Sequence, residues 1–142
     1  MKLTSHLGVS AITGVAAFFT THDMYAGISC FLAGWLIDLD HVWDFYRNAG
    51  RAFTVRGFFE TFENGEIEKV HLYLHSYELL FGLICGCFLT HFNYLLSFTT
   101  LGFGIHLLFD QICNPVKPLS YFITYRILHG YNADRIFMSR AE

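Results

Sequence analysis

Residues 4–41 read TSHLGVSAITGVAAFFTTHDMYAGISCFLAGWLIDLDH, two apolar runs separated by the short polar turn Thr21-His22-Asp23. Neither run carries a charge between Leu7 and Thr20 or between Met24 and Ile37. A connection this brief forces two helices to lie antiparallel. The pattern recurs further along, where His91-Phe92-Asn93 joins two more apolar runs. The sequence therefore predicts an all-α chain, one helical membrane domain over residues 1–142. It would be a four-helix membrane bundle of two antiparallel hairpins, with helices over about 6–20, 24–39, 71–90 and 94–111. Each run is near or below the ~20 residues that cross a bilayer core.

Composition points the same way. Of 142 residues, 54% are apolar and 15% charged, with sixteen Phe and eight Tyr, more than one small core buries. The net charge is −3 and no basic stripe exists, which excludes nucleic acid as a partner. The four cysteines (Cys30, Cys85, Cys87, Cys113) form no CxxC pair, so no disulfide framework is expected. The start MKLTSHLGVSAITGVAAFF has signal-like length, but it runs straight into a turn and a second apolar run and is read as a retained helix.

Two mixed segments, about 44–62 and 119–130, interleave Arg with aromatics and read as amphipathic surface pieces at headgroup level. In the first, Arg47, Arg51 and Arg56 alternate with Phe53, Phe58, Phe59 and Phe62; the second is SYFITYRILHGYNADRIF. The acidic ENGEIEK stretch reads equally well as a polar loop. All nine Lys and Arg (Lys2, Arg47, Arg51, Arg56, Lys69, Lys117, Arg126, Arg135, Arg140) fall in the N-terminus, the middle segment or the C-terminal segment. Neither short turn has one. The positive-inside rule then places the termini in the cytoplasm of a multi-pass inner-membrane protein.

Four clusters supply candidate metal ligands. His6 opens the first run, and Asp38, Asp40 and His41 close the second. His71 and His75 open the third, four apart and hence on one helical face, with Glu78 close behind. His106 and Asp110 repeat that spacing inside LGFGIHLLFDQI, where ionisable groups are expensive and mark function. In an antiparallel hairpin, residues at equal depth have numbers with a constant sum. His6 then falls level with Leu39, and His75 near Leu108, so all four clusters meet at the cytoplasmic end. His22 and His91 lie in the opposite turns, and His129 in the tail is read as a surface residue. Imidazole and carboxylate together suit a divalent ion, Zn²⁺ first, with Mn²⁺ or Fe²⁺ as alternatives. Eight candidates exceed one tetrahedral set, which leaves one or two ions open, with the remaining groups orienting imidazoles.

At these residues the chain resembles the membrane-bound metal-dependent hydrolase family of bacterial and archaeal inner-membrane proteins. The matching pieces are TSHLG, LIDLDHVWD, VHLYLHSYE and GIHLLFDQ, in that order across about residues 6–112. Ile37 stands where the family has Pro, and Leu72 where it has Arg. The arrangement is more distantly similar to zinc-dependent phospholipase C and P1-type nucleases. The resemblance implies a hydrolase; the metal would then activate a water, and an unliganded carboxylate, Glu78 or Asp44, is the expected general base. A site at the cytoplasmic face suits a small-molecule or lipid-linked phosphoester and contact with membrane lipids. Two other readings compete: a non-catalytic metal-binding or sensor protein, and bis-histidine haem ligation, which the neighbouring aspartates disfavour. No sequence feature sets the oligomeric state.

Overall fold

The computed structural model describes residues 3–49, 54–64 and 67–138. Lys2, Arg51, Phe53, Arg140 and the Gly65-Glu66 pair lie outside them, as do the side chains of Phe59, Phe62 and Glu63. Among the described residues the chain is all-α, without a strand. In order the helices are α1 (Leu3–Thr21), α2 (Met24–Leu36), α3 (Leu39–Ala49), α4 (Val55–Asn64), α5 (Tyr77–Leu89), α6 (Tyr94–Cys113), α7 (Ile123–Leu128) and α8 (Ala133–Ile136). They fall into two compact units, one of Met1–Ile37 with Tyr77–Asn114, the other of Asp38–Ser76 with Pro115–Glu142.

The first unit holds α1, α2, α5 and α6. His22 ends α1 in the left-handed region (φ 56°), its N–H donating to the Phe18 carbonyl at 2.7 Å. Asp23 then caps α2 by accepting from the Tyr25 amide. The α5 end is a Schellman motif, with Phe92 N–H on the Cys87 carbonyl and His91 N–H on that of Phe88. Asn93 caps α6. Helices α1 and α2 pack through small residues: a Cβ on Gly14 would come 2.8 Å from the Gly27 carbonyl oxygen, and one on Gly34 would come 2.9 Å from Ser10 Oγ. Those pairings make the two helices run in opposite directions. Across α2 and α6 the backbones meet at Gly102, where any Cβ would collide with the Cys30 carbonyl. This unit buries Ala26, Cys30, Phe103 and Leu107 together with polar groups and leaves many large apolar side chains exposed. His6, Ser10, His106 and Asp110 are buried, while Ile12, Phe19, Phe81, Phe88, Leu89 and Ile112 are exposed. Hydroxyls on these helices return to their own backbone, as Thr13 to Val9, Ser29 to Tyr25 and Thr100 to Leu96.

The second unit holds α3, α4, α7 and α8 around an extended strap, residues 67–76. Ile67, Val70 and Leu72 of the strap pack with Ile136 of α8. Along one edge the Val70 amide donates to the Tyr131 carbonyl and the Ala133 amide to that of Glu68. Along the other edge α3 presents Asp40, Asp44 and Asn48, one per turn and therefore on one face. Asn48 pairs with both backbone groups of Lys69 (Nδ2 to O 2.8 Å, Oδ1 from N 3.1 Å). Asp44 accepts from the amides of His71 and Leu72, and Asp40 from those of Leu74 and His75. Helix α3 thus reads the strap backbone as a neighbouring strand would.

That ladder explains the main departure from expectation. The helix expected over about 71–90 begins instead at Tyr77, and the strap before it carries Leu72 at φ 41°. Most of its amides and carbonyls are bonded to side chains of α3 and α7 or to the backbone beside α8, so it has no need of helical partners, and His71 and His75 do not share a helical face. The second helix stops at Leu36 rather than reaching 39, and Asp40 and His41 open α3. The amphipathic segment expected over 44–62 lies in the C-terminal half of α3 and in α4, and that over 119–130 contains the short α7.

Candidate metal centre

In the first unit, His6 comes from α1, and His106 and Asp110 from one face of α6. His6 Nε2 lies 3.4 Å from Asp110 Oδ1, and His106 Nε2 lies 3.3 Å from Asp110 Oδ2. The two imidazole centroids are 4.7 Å apart. Small residues produce this approach: Ser10, one turn beyond His6, meets Gly34, and Gly102, one turn before His106, abuts Cys30. Asn114 Nδ2 donates to Asp110 Oδ1 at 2.9 Å and fixes the carboxylate. The whole group is buried, Asp110 to 1% exposure.

In the second unit, Asp38 stands before α3, His41 lies in its first turn, and His75 lies on the strap. His75 Nε2 is 3.6 Å and His41 Nε2 3.9 Å from Asp38 Oδ1. His75 is fully buried, whereas the His41 side chain is 27% exposed, which leaves this group open on one side. Asp40 lies behind His75, with Oδ2 3.4 Å from Nδ1. That is the carboxylate–histidine arrangement that turns the far nitrogen toward a metal.

Both groups fit a divalent ion. In each, one ligand atom per residue lies within 4.8 Å of the others. Ligand atoms at about 2.0–2.1 Å from a tetrahedral zinc stand roughly 3.3–3.4 Å from one another. In the first unit the imidazoles approach different oxygens of Asp110, His6 at Oδ1 and His106 at Oδ2, each further than an ordinary N–H···O hydrogen bond of about 2.7–3.2 Å. Two imidazoles and a carboxylate leave a fourth position for water or another ligand. Buried His/Asp clusters able to hold a metal ion are therefore present in both units.

The other expected site residues lie elsewhere. His71 belongs to neither group: its Nδ1 is 3.0 Å from Asp44 Oδ1, and its ring meets that of Tyr131 at a tilt, centroids 4.5 Å apart. Asp44, expected as a general base, is 1% exposed and accepts the His71 and Leu72 amides, so it holds the strap and orients His71. Burial pushes its carboxyl above the ordinary value, while the hydrogen bonds and charge of His71 and the Leu72 amide pull the other way. Glu78 lies half-buried in the first turn of α5. His22 and His91 are exposed in their turns, and His129 Nδ1 is 2.8 Å from the Tyr125 carbonyl.

One residue of consequence escaped the sequence reading. Arg126, expected on an amphipathic surface piece, is 1% exposed and donates to three strap carbonyls. Its signal was present, an ionisable group inside the apolar run ITYRIL, the same feature that singled out His106 and Asp110. Comparison with protein-family models, curated proteins and solved structures finds no match to this chain.

Proposed function

We propose that the chain is a membrane-embedded, metal-dependent hydrolase acting on a phosphoester or lipid-linked substrate at the cytoplasmic face. The observation that carries this reading is the half-open Asp38/His41/His75 group, three ligands backed by an orienting carboxylate. A divalent ion held there would supply Lewis acidity and a water acidic enough to ionise near neutral pH. Asp38, His41 and His75 would hold it. Asp40 keeps His75 Nδ1 engaged and its amide bound, so Nε2 is presented without rotational search. Asp44 is committed to the strap, which leaves it no part in proton transfer. The test is hydrolysis of an ester and phosphoester panel by metal-loaded protein, with Asp38→Asn as control. Metal-dependent turnover lost in Asp38→Asn supports the proposal; no turnover from loaded wild type overturns it.

A second reading, a non-catalytic metal-binding or sensor protein, is favoured by the His6/His106/Asp110 group. Its three ligands are each no more than 5% exposed, which suits a closed site.

The proposed setting is a four-helix membrane bundle of two antiparallel hairpins, α1–α2 and α5–α6, in the inner membrane with cytoplasmic termini. Its support is the exposed apolar surface of these helices and their backbone-satisfied hydroxyls. Among the described residues one helix, α6, is long and apolar enough to cross a membrane. Helices α2 and α5 have 13 residues each, roughly 20 Å, and would need a thinned bilayer or snorkelling ends. Reporter fusions at both termini test the orientation, and a periplasmic signal at either would overturn it.

A further inference from the structure

Arg126 sits on α7 with 1% of its surface exposed, a rare place for a guanidinium. Nη1 donates to the carbonyls of His71 and Leu72 and Nη2 to that of His75, each at 2.7 Å. These carbonyls belong to the strap that carries His75, and they bracket the left-handed Leu72. The opposite polarity of the same strap is taken by anions, since Asp40 and Asp44 accept its amides. The segment is therefore gripped between a cation and two carboxylates, through charge-assisted bonds stronger than those of neutral groups. Only the planar fork of arginine spans three carbonyls at once; an ammonium on a flexible stem does not reproduce it.

We propose that Arg126 is a positioning residue for His75, setting the imidazole against Asp38 and His41 and so tuning metal affinity at that group. The inference rests on the metal reading of Asp38/His41/His75 proposed above. By linkage the effect is reciprocal: metal in the group secures the strap, and the strap secures the C-terminal segment that carries Arg126.

The experiment uses the full chain in detergent with His106→Ala as the parent, which removes a ligand from the other group. Zn²⁺ affinity is measured by competition with a chromophoric chelator. Arg126→Lys and Arg126→Ala should each weaken binding by about 10–100-fold, the usual effect of losing a group that orients a ligand. Added methylguanidinium should partly restore Arg126→Ala. In a His75→Ala parent, Arg126→Ala should leave the His6/His106/Asp110 group within about twofold, as expected of independent sites. Undiminished affinity in Arg126→Ala, or an equal loss at both groups, overturns the proposal, the second by showing general destabilisation. A His106→Ala parent that binds no Zn²⁺ before Arg126 is touched overturns the metal reading itself, and the positioning role with it.

Discussion

The carboxylate of Asp40 accepts the backbone amide of His75 at 3.1 Å and lies 3.4 Å from the Nδ1 of the same residue. One side chain thus fixes both the position of the strap and the rotation of its imidazole. Asp40→Ala removes the one oxygen, Oδ2, that serves both the amide and Nδ1. Zinc affinity at Asp38/His41/His75 should fall by about 10–100-fold with helical content unchanged. Calorimetric titration measures this, and wild-type affinity would assign Asp40 to the backbone alone.

Asp44 repeats the geometry at His71, outside either candidate group. Asp44→Asn should cost about 1–3 kcal/mol of stability, because Asn cannot accept at both oxygens and leaves a buried donor of His71 unpaired. The pH dependence has a defined sign. Burial raises the Asp44 carboxyl above its ordinary 3.8, so the native state holds that proton more tightly than the unfolded chain. The Asp44 contribution is then complete at low pH and declines as pH rises through the raised value. Metal-free unfolding across this range should show the advantage of wild type over Asp44→Asn shrinking with pH, and growth of that advantage would contradict the assignment.

Gly102 lets α6 approach the Cys30 carbonyl, and His106 lies one turn further along. Gly102→Ala should destabilise the first unit by about 1–3 kcal/mol through overpacking. Binding at His6/His106/Asp110 should weaken while Asp38/His41/His75 is spared. Thermal unfolding and zinc titration check both effects, and a variant as stable as wild type would place the helices further apart than described.

Leu101 lies in the middle portion of α6 and is 47% exposed. If that surface faces lipid, Leu101→Asp carries the cost of an acid at mid-helix, roughly 2.5–3.5 kcal/mol, and protein recovered from the membrane fraction should drop. A water-soluble protein would accept the substitution at an exposed position, so soluble, folded, metal-binding Leu101→Asp would contradict the membrane setting.

Hydropathy and turn length were enough to locate α1, α2 and α6 within a few residues. Short polar turns at Thr21–Asp23 and His91–Asn93 admit few alternatives, and apolar periodicity is a local signal. The i, i+4 pair His106/Asp110 was legible for the same reason. His71 and His75 have the same spacing and were read as helical, but their backbone is held by Asp40, Asp44 and Arg126 from elsewhere in the chain. No local pattern reports such capture. Asp40 and Asp44 were recognised as important, yet their work is on amides, which leave no mark on the strap sequence. The helix break near Ile37 was also missed; the apolar run continues through it.

The central claim is that two His/Asp groups in this chain hold divalent metal, and elemental analysis of the purified protein with its variants tests it most directly. Wild type should carry Zn²⁺ or a related divalent ion, His106→Ala and His75→Ala should each carry less, and the double variant should carry none. A folded double variant that retains as much metal as wild type would contradict the account.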